Sequence, residues 1–165
     1  FMYVKRTAGH HRGAAQRDCL NMAKDMIADV PGPILELGLG NGRTFDHLRE
    51  LFPDREIFVF DQRVAAHPDC VPDEDHMILG DVTETLKGAL NRIGAQAALA
   101  HCDIGSSRRD LNAQLVATIA PLVDALMAPD GLVCSDQEYS VSNWESQTLP
   151  DGVSPGRYFV NRVRR

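Results

Sequence analysis

Residues 34 to 42 read Ile-Leu-Glu-Leu-Gly-Leu-Gly-Asn-Gly, a short apolar run that ends in three alternating glycines. The apolar run predicts a buried strand, and the apolar spacing over residues 44–52 predicts a helix directly after the glycines. Glycines in such a turn permit positive φ and let a ligand approach the backbone without meeting a Cβ. Because the first amides of a helix also lack backbone partners, this stretch predicts a ligand-binding turn.

The spacing of the glycines distinguishes between the known kinds of nucleotide-binding loop. A dinucleotide fingerprint needs its third glycine at position 43, where this chain has Arg43. A phosphate-binding loop needs Gly-Lys followed by Ser or Thr, and the sequence contains no such triplet. The pattern that is present, Glu-x-Gly-x-Gly-x-Gly, runs from Glu36 to Gly42. A nicotinamide oxidoreductase would therefore rest on fold analogy alone.

Strand-like and helix-like stretches alternate along the rest of the chain. Helical spacing over residues 14–30 precedes the glycine turn. Further apolar runs predict strands at 57–60, 77–79, 97–102 and 132–135. Strands separated by helices imply parallel pairing with helices on both faces, so we expect a doubly wound, Rossmann-like α/β sheet. Residues 144–148 and 158–163 predict an antiparallel hairpin that closes the sheet at its C-terminal end.

Two more helices are expected between the later strands. Leu86, Leu90 and Ile93 have helical spacing and predict one helix between the third and fourth strands. Ser107 and Asp110 resemble a capping box, with Asp in place of the usual Glu or Gln. They predict the start of the helix that follows the fourth strand.

An acidic residue lies within two positions after the end of each of the four later strands. These residues are Asp61, Asp81, Asp103 and Asp136. In a parallel sheet the carboxyl ends of the strands share one edge, and ligands bind outside that edge. We therefore expect the four carboxylates and the glycine turn to lie around one site. A strand-end Asp can instead cap a helix, and for Asp81 capping is a serious alternative.

The glycine pattern resembles motif I of class I S-adenosylmethionine-dependent methyltransferases, and the later acidic strand ends make the resemblance specific. It covers residues 34–136. In that family the acid that matches Glu36 helps to hold the amino end of the cofactor. The acid that matches Asp61 binds both ribose hydroxyls, and the one that matches Asp81 receives the adenine amino group. The resemblance assigns cofactor binding to Glu36, Gly38, Leu39, Gly40, Gly42, Asp61, Gln62, Gly80, Asp81, Val82 and Asp103.

The length of 165 residues favours a single domain over the whole chain, which the resemblance identifies as a methyltransferase domain. We expect a helical cap at its N-terminus, a cofactor-binding core in the middle and a closing hairpin at its C-terminus. The expected boundaries of these three parts are 1–33, 34–136 and 137–165.

The sequence signal for catalytic residues is weak, because in methyl transfer the cofactor carries the reactivity and the protein mainly orients the reactants. His101 and Asp103, at the end of the fourth strand, are the catalytic candidates. His101 could act as a base, since the ordinary pKa of histidine is about 6.5, although such a histidine is more often packed or solvated. The stretch is not of the Asn-Pro-Pro-Tyr type that the family uses for amino groups of bases or glutamine, which disfavours those acceptors.

Asp103, Asp136 and Gln137 resemble the metal site of catechol-type O-methyltransferases. That site uses an Asp after the fourth strand and Asp-Asn after the fifth, and such oxygen ligands suit Mg²⁺. Gln137 stands where Asn is expected, so we expect no metal here. Helix capping or contact with the methionyl part of the cofactor are the alternative roles of these residues.

The overall charge bears on the kind of partner. The formal net charge is −6, from 17 basic and 23 acidic residues. This balance disfavours nucleic acid, because its binders need Lys and Arg to replace counterions on the phosphates. We expect a solvated basic end rather than a phosphate-binding patch where four arginines gather near the C-terminus. They are Arg157, Arg162, Arg164 and Arg165.

Features of the whole chain favour a cytoplasmic protein. The four cysteines lie far apart without a Cys-x-x-Cys pair, as expected of free thiols in a reducing compartment. The first residues lack the apolar core of a signal peptide, and no apolar run approaches the ~18 residues needed to span a bilayer. We expect no membrane contact. A homodimer is a further hypothesis, because a second subunit could complete the pocket.

The leading hypothesis is an enzyme that transfers the methyl group of S-adenosylmethionine to a small-molecule acceptor, with oxygen slightly favoured over nitrogen. The alternative is a noncatalytic S-adenosylmethionine-binding partner subunit of a larger methyltransferase complex. Its motivation is the small amount of chain outside the core that could cover a substrate. Turnover with a broad panel of acceptors separates the two hypotheses.

Overall fold

Seven strands form one sheet in the part of the chain that the structure describes. The structure is a computed structural model, and it describes the backbone of residues 2–165 and the side chains of residues 13–165. In chain order the strands are β1 (Ile34–Leu37), β2 (Ile57–Asp61), β3 (Met77–Leu79), β4 (Ala97–Cys102), β5 (Met127–Ser135), β6 (Trp144–Ser146) and β7 (Phe159–Val163). Their order across the sheet is β3-β2-β1-β4-β5-β7-β6.

Parallel pairing runs from β3 to β5 through the central strand β1, which pairs with β2 and with β4. The register places Leu37, Phe60 and Cys102 side by side at the carboxyl ends of three strands. Strand β7 is antiparallel to β5, and β6 is antiparallel to β7. The prediction of a doubly wound, mostly parallel sheet with an antiparallel C-terminal hairpin is confirmed.

Helices cover both faces of the sheet. They are α1 (Met2–Met26), α2 (Arg43–Leu51), α3 (Val82–Thr85), α4 (Ala89–Ile93) and α5 (Arg109–Leu126), with a 3₁₀ turn at Pro68–Cys70. The buried side chains form two clusters, because alternate residues of a strand point to opposite faces. Helices α1 and α2 contribute to the cluster around Ile34 and Leu99, and α4 and α5 to the cluster around Leu35 and Phe60. Of the helices in the described chain, none is long and apolar enough to cross a membrane.

The helix expected around Leu86, Leu90 and Ile93 is divided into two short helices. Helix α3 ends before Leu86, and Gly88 precedes the first residue of α4. Glycine in a helix interior costs roughly 1 kcal/mol relative to alanine, so an interruption at this position loses little helix stability. Leu86 and Ile93 are buried, as their spacing predicted, but Leu90 is exposed, and the spacing did not predict the break within the segment.

The predicted capping box at the start of α5 is wrong. The N-cap residue is Arg108, and its side chain does not bond to the first amides of the helix. The loop before the helix is held instead by Asn112. Its Oδ1 accepts from the backbone N–H of Ser106 at 2.7 Å, and its Nδ2 donates to the carbonyl of Ser106 at 2.7 Å. This pair of hydrogen bonds orders the loop between β4 and α5.

Three of the four C-terminal arginines, Arg157, Arg164 and Arg165, are exposed, as expected of a solvated basic end. Arg162, Arg164 and Arg165 also contact other parts of the protein. Arg162 donates to the carbonyl of Asp130 at 3.0 Å, and Arg164 forms an ion pair with the Asp130 carboxylate at 2.8 Å. Arg165 pairs with Asp124 at 3.0 Å. These contacts join the end of the chain to the early part of β5 and to the end of α5.

Replacement of Asp124 by alanine should destabilise the fold. Its Oδ1 accepts from the indole N–H of Trp144 at 2.8 Å, from Asn143 at 3.2 Å and from Arg165 at 3.0 Å. Because a buried donor without a partner costs free energy, we expect Asp124→Ala to lower the free energy of unfolding in urea by about 2 kcal/mol. Asp151→Ala, in an exposed turn, is the control. Equal effects of the two changes would contradict the role of Asp124.

Candidate cofactor-binding site

The three glycines of the loop after β1 have different surroundings. All have positive φ, of 95° at Gly38, 53° at Gly40 and 83° at Gly42. A Cβ on Gly38 would lie 2.3 Å from the backbone oxygen of Asp103, and one on Gly42 would lie 2.5 Å from the Cβ of Cys70. A Cβ on Gly40 would meet nothing within 4 Å. Two glycines therefore let the loop pack on the protein, and Gly40 is the one that faces open space.

Asp61, at the end of β2, is bonded to the glycine loop. Its Oδ2 accepts from the backbone N–H of Leu39 at 2.8 Å, and its Oδ1 accepts from the backbone N–H of Gln62 at 2.7 Å. Each carboxylate oxygen has a second lone pair and can accept another hydrogen bond. The structure thus brings Asp61 to the loop, as expected, and leaves both oxygens able to accept from ribose hydroxyls.

Asp81, after β3, caps helix α3. Its Oδ1 accepts from the backbone N–H of Thr83 at 2.9 Å and from the Thr83 hydroxyl at 2.7 Å. These hydrogen bonds hold the pKa of Asp81 below its ordinary value. Asp81 therefore makes the helix-capping contact that was stated as the alternative to cofactor binding. Gly80, whose N–H donates to the carbonyl of Asp61 at 3.0 Å, places Asp81 beside the end of β2, while Val82 is partly buried against the core.

Glu36 and His101 form a buried pair on neighbouring strands. Both residues are 0% exposed, and Nδ1 of His101 lies 2.8 Å from Oε1 of Glu36. The other carboxylate oxygen, Oε2, is buried and has no hydrogen-bond partner among the described residues. The predicted site residue Glu36 therefore has one oxygen that is fixed by His101 and one that remains to be satisfied.

Two further side chains contact the other ring nitrogen of His101. The hydroxyl of Tyr158 is hydrogen bonded to Nε2, and the amide nitrogen of Gln16 lies 3.0 Å from it. The same amide donates to the hydroxyl of Thr44 at 3.0 Å. Sequence patterns did not identify Gln16 or Tyr158 as site residues, because neither belongs to a motif. Only the packing of α1 and the C-terminal segment brings them to this place.

Both members of the buried pair have a raised pKa. Burial raises the pKa of Glu36, an effect that the neighbouring His101 reduces. Burial by itself lowers the pKa of His101, but the Glu36 carboxylate, with Asp103 and Asp136, outweighs it and raises the pKa of the imidazole. The pair therefore retains one proton at a pH at which a solvated histidine would have lost it.

The loops after β4 and β5 contact each other at Gly105. A Cβ on Gly105 would lie 2.8 Å from Nε2 of Gln137 and 3.1 Å from Oδ2 of Asp136. The weak metal candidates Asp136 and Gln137 thus pack against the loop that begins with Asp103. Among the described side chains, no group of three or more His, Cys, Asp or Glu residues is arranged to hold a metal ion.

A family model of S-adenosyl-L-methionine methyltransferases matches residues 9–163. This range includes the glycine loop and all strands of the sheet. The chain belongs to this methyltransferase family. The methyltransferase therefore binds S-adenosylmethionine, as the resemblance of its glycine loop and acidic strand ends to the family implied. A comparison with curated proteins found no match.

This methyltransferase aligns with almost the whole chain of one solved structure and with smaller parts of others. The S-adenosyl-L-methionine methyl transferase from Silicibacter pomeroyi DSS-3 is 43% identical, with a TM-score of 0.88 over 93% of this chain and 94% of that chain. Human methyltransferase-like protein 13, in complex with SAH, is 13% identical, with a TM-score of 0.56 over 94% and 81%. MycE of the mycinamycin biosynthetic pathway, in complex with Mg and SAH, is 18% identical, with a TM-score of 0.52 over 81% and 42%. The last two show the fold alone.

The described residues fit S-adenosylmethionine at two points. Gly40 leaves open space beside the loop, and Glu36 has a buried oxygen without a partner among the described side chains. An ammonium group, which the cofactor carries at its amino acid end, has three donors and no acceptor, and it would complete the hydrogen bonding of that oxygen. The assignment of single residues to parts of the cofactor stays a prediction.

The open space beside Gly40 predicts that a side chain there obstructs the cofactor. We expect Gly40→Ala to weaken the binding of S-adenosylhomocysteine at least about tenfold, or about 1.4 kcal/mol, in calorimetry. Gly152→Ala is the matched control, because Gly152 also has positive φ, of 87°, and open space around its Cβ position. It should keep the affinity of the unchanged protein. Unchanged affinity in Gly40→Ala would refute the assignment of this glycine.

The buried pair predicts that stability falls as the pH rises through the raised pKa of His101. Because the pKa of His101 is raised in the folded protein, its stabilisation is complete below about pH 6.5, the ordinary pKa of histidine. It is lost as the pH rises through the folded pKa, with a slope of at most about 1.4 kcal/mol per pH unit for one proton. The raised pKa of Glu36 acts in the same direction.

Urea unfolding of the unchanged protein and of the double variant Glu36→Gln/His101→Gln, from about pH 6 to about pH 8.5, measures this contribution. The variant, which lacks both ionisable groups of the pair, should show the shallower decline. His76 also has a raised pKa, through its hydrogen bond to Asp73, but it is the same in both proteins, so the difference in slope reports the buried pair. Identical slopes would mean that the pair does not hold the additional proton.

Proposed function

We propose that this methyltransferase transfers the methyl group of S-adenosylmethionine to a small-molecule acceptor, with oxygen favoured over nitrogen as the acceptor atom. The position of Asp103 is the observation that supports this most. Asp103 follows β4 directly and is exposed, and its backbone packs against Gly38 of the glycine loop. An exposed carboxylate beside this loop is well placed to accept the proton of a hydroxyl group.

The chemistry requires little covalent participation by the protein. When bound, S-adenosylmethionine supplies a methyl carbon that is activated by its sulfonium. The residues of the chain have to orient the acceptor and take up the proton that a hydroxyl loses. Asp103 suits the second task better than His101, because both ring nitrogens of His101 already contact other side chains.

Charge supports a small acceptor over nucleic acid. The acidic residues that end or follow β2, β3, β4 and β5 belong to one edge of the sheet, where they would repel a polyanion. The net charge of −6 acts in the same direction.

Turnover with two matched series of acceptors tests the proposal. Phenols and aliphatic alcohols form one series and the corresponding amines the other, and the formation of S-adenosylhomocysteine is measured. We expect faster turnover with members of the hydroxyl series. Methylation of amines alone would overturn the preference for oxygen. No turnover with either series, in a protein that still binds S-adenosylhomocysteine, would instead favour a noncatalytic partner subunit.

Asp103→Asn distinguishes a catalytic role of this residue from a role in cofactor binding. If Asp103 accepts the proton of the acceptor, kcat should fall about 100-fold, the usual contribution of a general base. The affinity for S-adenosylhomocysteine should change little. Asp110→Asn, on an exposed residue in the first turn of α5, is the matched control and should leave both quantities unchanged. A loss of affinity without a loss of kcat would remove Asp103 as the base.

A further inference from the structure

We propose that Tyr158 and Gln16 are positioning residues of the cofactor site, and that they act through His101 on Glu36. Their task is to hold the carboxylate of Glu36 so that its remaining oxygen receives the ammonium group of S-adenosylmethionine. The proposal rests on the cofactor site and is independent of the acceptor. Four residues that are distant from one another in the sequence thus act together on a single contact, the one between Glu36 and the ammonium group.

The argument begins with the two oxygens of Glu36. Oε1 is 2.8 Å from Nδ1 of His101, and Oε2 is buried without a partner among the described residues. A buried charged group that lacks a hydrogen bond is costly, so a native protein retains one where a ligand, water or ion satisfies it. A cationic donor suits a carboxylate best, because hydrogen bonds between charged partners are about twice as strong as neutral ones.

The direction of Oε2 depends on the orientation of the His101 ring. One bond to Nδ1 would leave the ring free to rotate together with the carboxylate. The hydroxyl of Tyr158 and the amide of Gln16 both contact Nε2 on the opposite side of the ring. The rings of His101 and Tyr158 are also nearly parallel, with centroids 6.1 Å apart and an angle of 18° between their planes. Contacts of this kind behind a ligating group fix its orientation.

The chain of contacts extends from the C-terminal segment to the start of α2. Gln16 on α1 donates to the hydroxyl of Thr44, the second residue of α2. The glycine loop lies immediately before that residue. Movement of α1 away from the sheet would therefore release both His101 and the end of the glycine loop. In this arrangement α1 is part of the cofactor site and does more than cover one face of the sheet.

A merely structural role would make these residues important for stability alone. The two roles differ in one respect, the dependence on the amino group of the ligand. S-adenosylhomocysteine carries this group, and 5′-methylthioadenosine has the same adenosine and sulfur without the amino acid part. Loss of a positioning residue should weaken the first ligand and spare the second. Loss of structure around the whole site should weaken both.

The experiment measures the affinity of both ligands by calorimetry in Tyr158→Phe and in Tyr139→Phe. Tyr139 is the matched control, because it is also a buried tyrosine but belongs to the hydrophobic cluster on the opposite face of the sheet. We expect Tyr158→Phe to weaken S-adenosylhomocysteine about fivefold to tenfold, as for the loss of one hydrogen bond. The affinity for 5′-methylthioadenosine should not change. Tyr139→Phe should alter neither affinity.

A second set of variants shows whether the effect passes through Glu36. In Glu36→Gln, which keeps the shape of the side chain, addition of Tyr158→Phe should cause no further loss, since coupled residues are not additive. Gln16→Met, at a half-buried position, replaces Tyr158→Phe if that variant does not fold. Equal weakening of both ligands, no weakening, or full additivity with Glu36→Gln would each overturn the proposal. Failure to find a turnover substrate would not affect it.

Discussion

Burial of Glu36 is the constraint on which the arrangement of the site depends. A carboxylate that leaves water loses several kcal/mol of hydration free energy unless hydrogen bonds replace it. Glu36 lies on β1, the central strand of the parallel part of the sheet, with no exposed surface, so its partner has to come from a neighbouring strand in register. His101, which pairs with Glu36 across β1 and β4, meets this requirement. His101 is equally buried and also needs polar partners, which Tyr158 and Gln16 supply.

This polar chain crosses a face of the sheet that is otherwise apolar. The same face carries Ile34, Leu99 and Leu132, all completely buried. Apolar residues of similar volume would often stabilise such a place as well as a buried ion pair does. Retention of the polar chain therefore fits a requirement of the cofactor site better than a requirement of stability. It also gives the C-terminal hairpin and α1 a part in the site, which their place in the fold alone does not indicate.

The alternation of apolar strands and amphipathic helices predicted the architecture, because each pattern is local and its period sets the buried face. The same reasoning failed where a tertiary contact decides the local structure. The box expected from Ser107 and Asp110 is absent, and Asn112, a residue inside the helix, orders the loop by bonding to Ser106. The interruption of a predicted helix at Gly88 is a difference of the same kind.

The sequence by itself determined the fold class, because the alternation of strands and helices is a local pattern. It indicated the cofactor through a family resemblance, which Gly38, Gly40 and Gly42 carry together with the acids at the strand ends. Only the tertiary structure decided what each residue contacts. It packed two of the glycines against Asp103 and Cys70 and left the third facing open space. It also joined residues 16, 36, 101 and 158, which lie on α1, β1, β4 and directly before β7. Contacts between positions so far apart in the chain depend on how helices and strands pack, and no local period or motif records that packing.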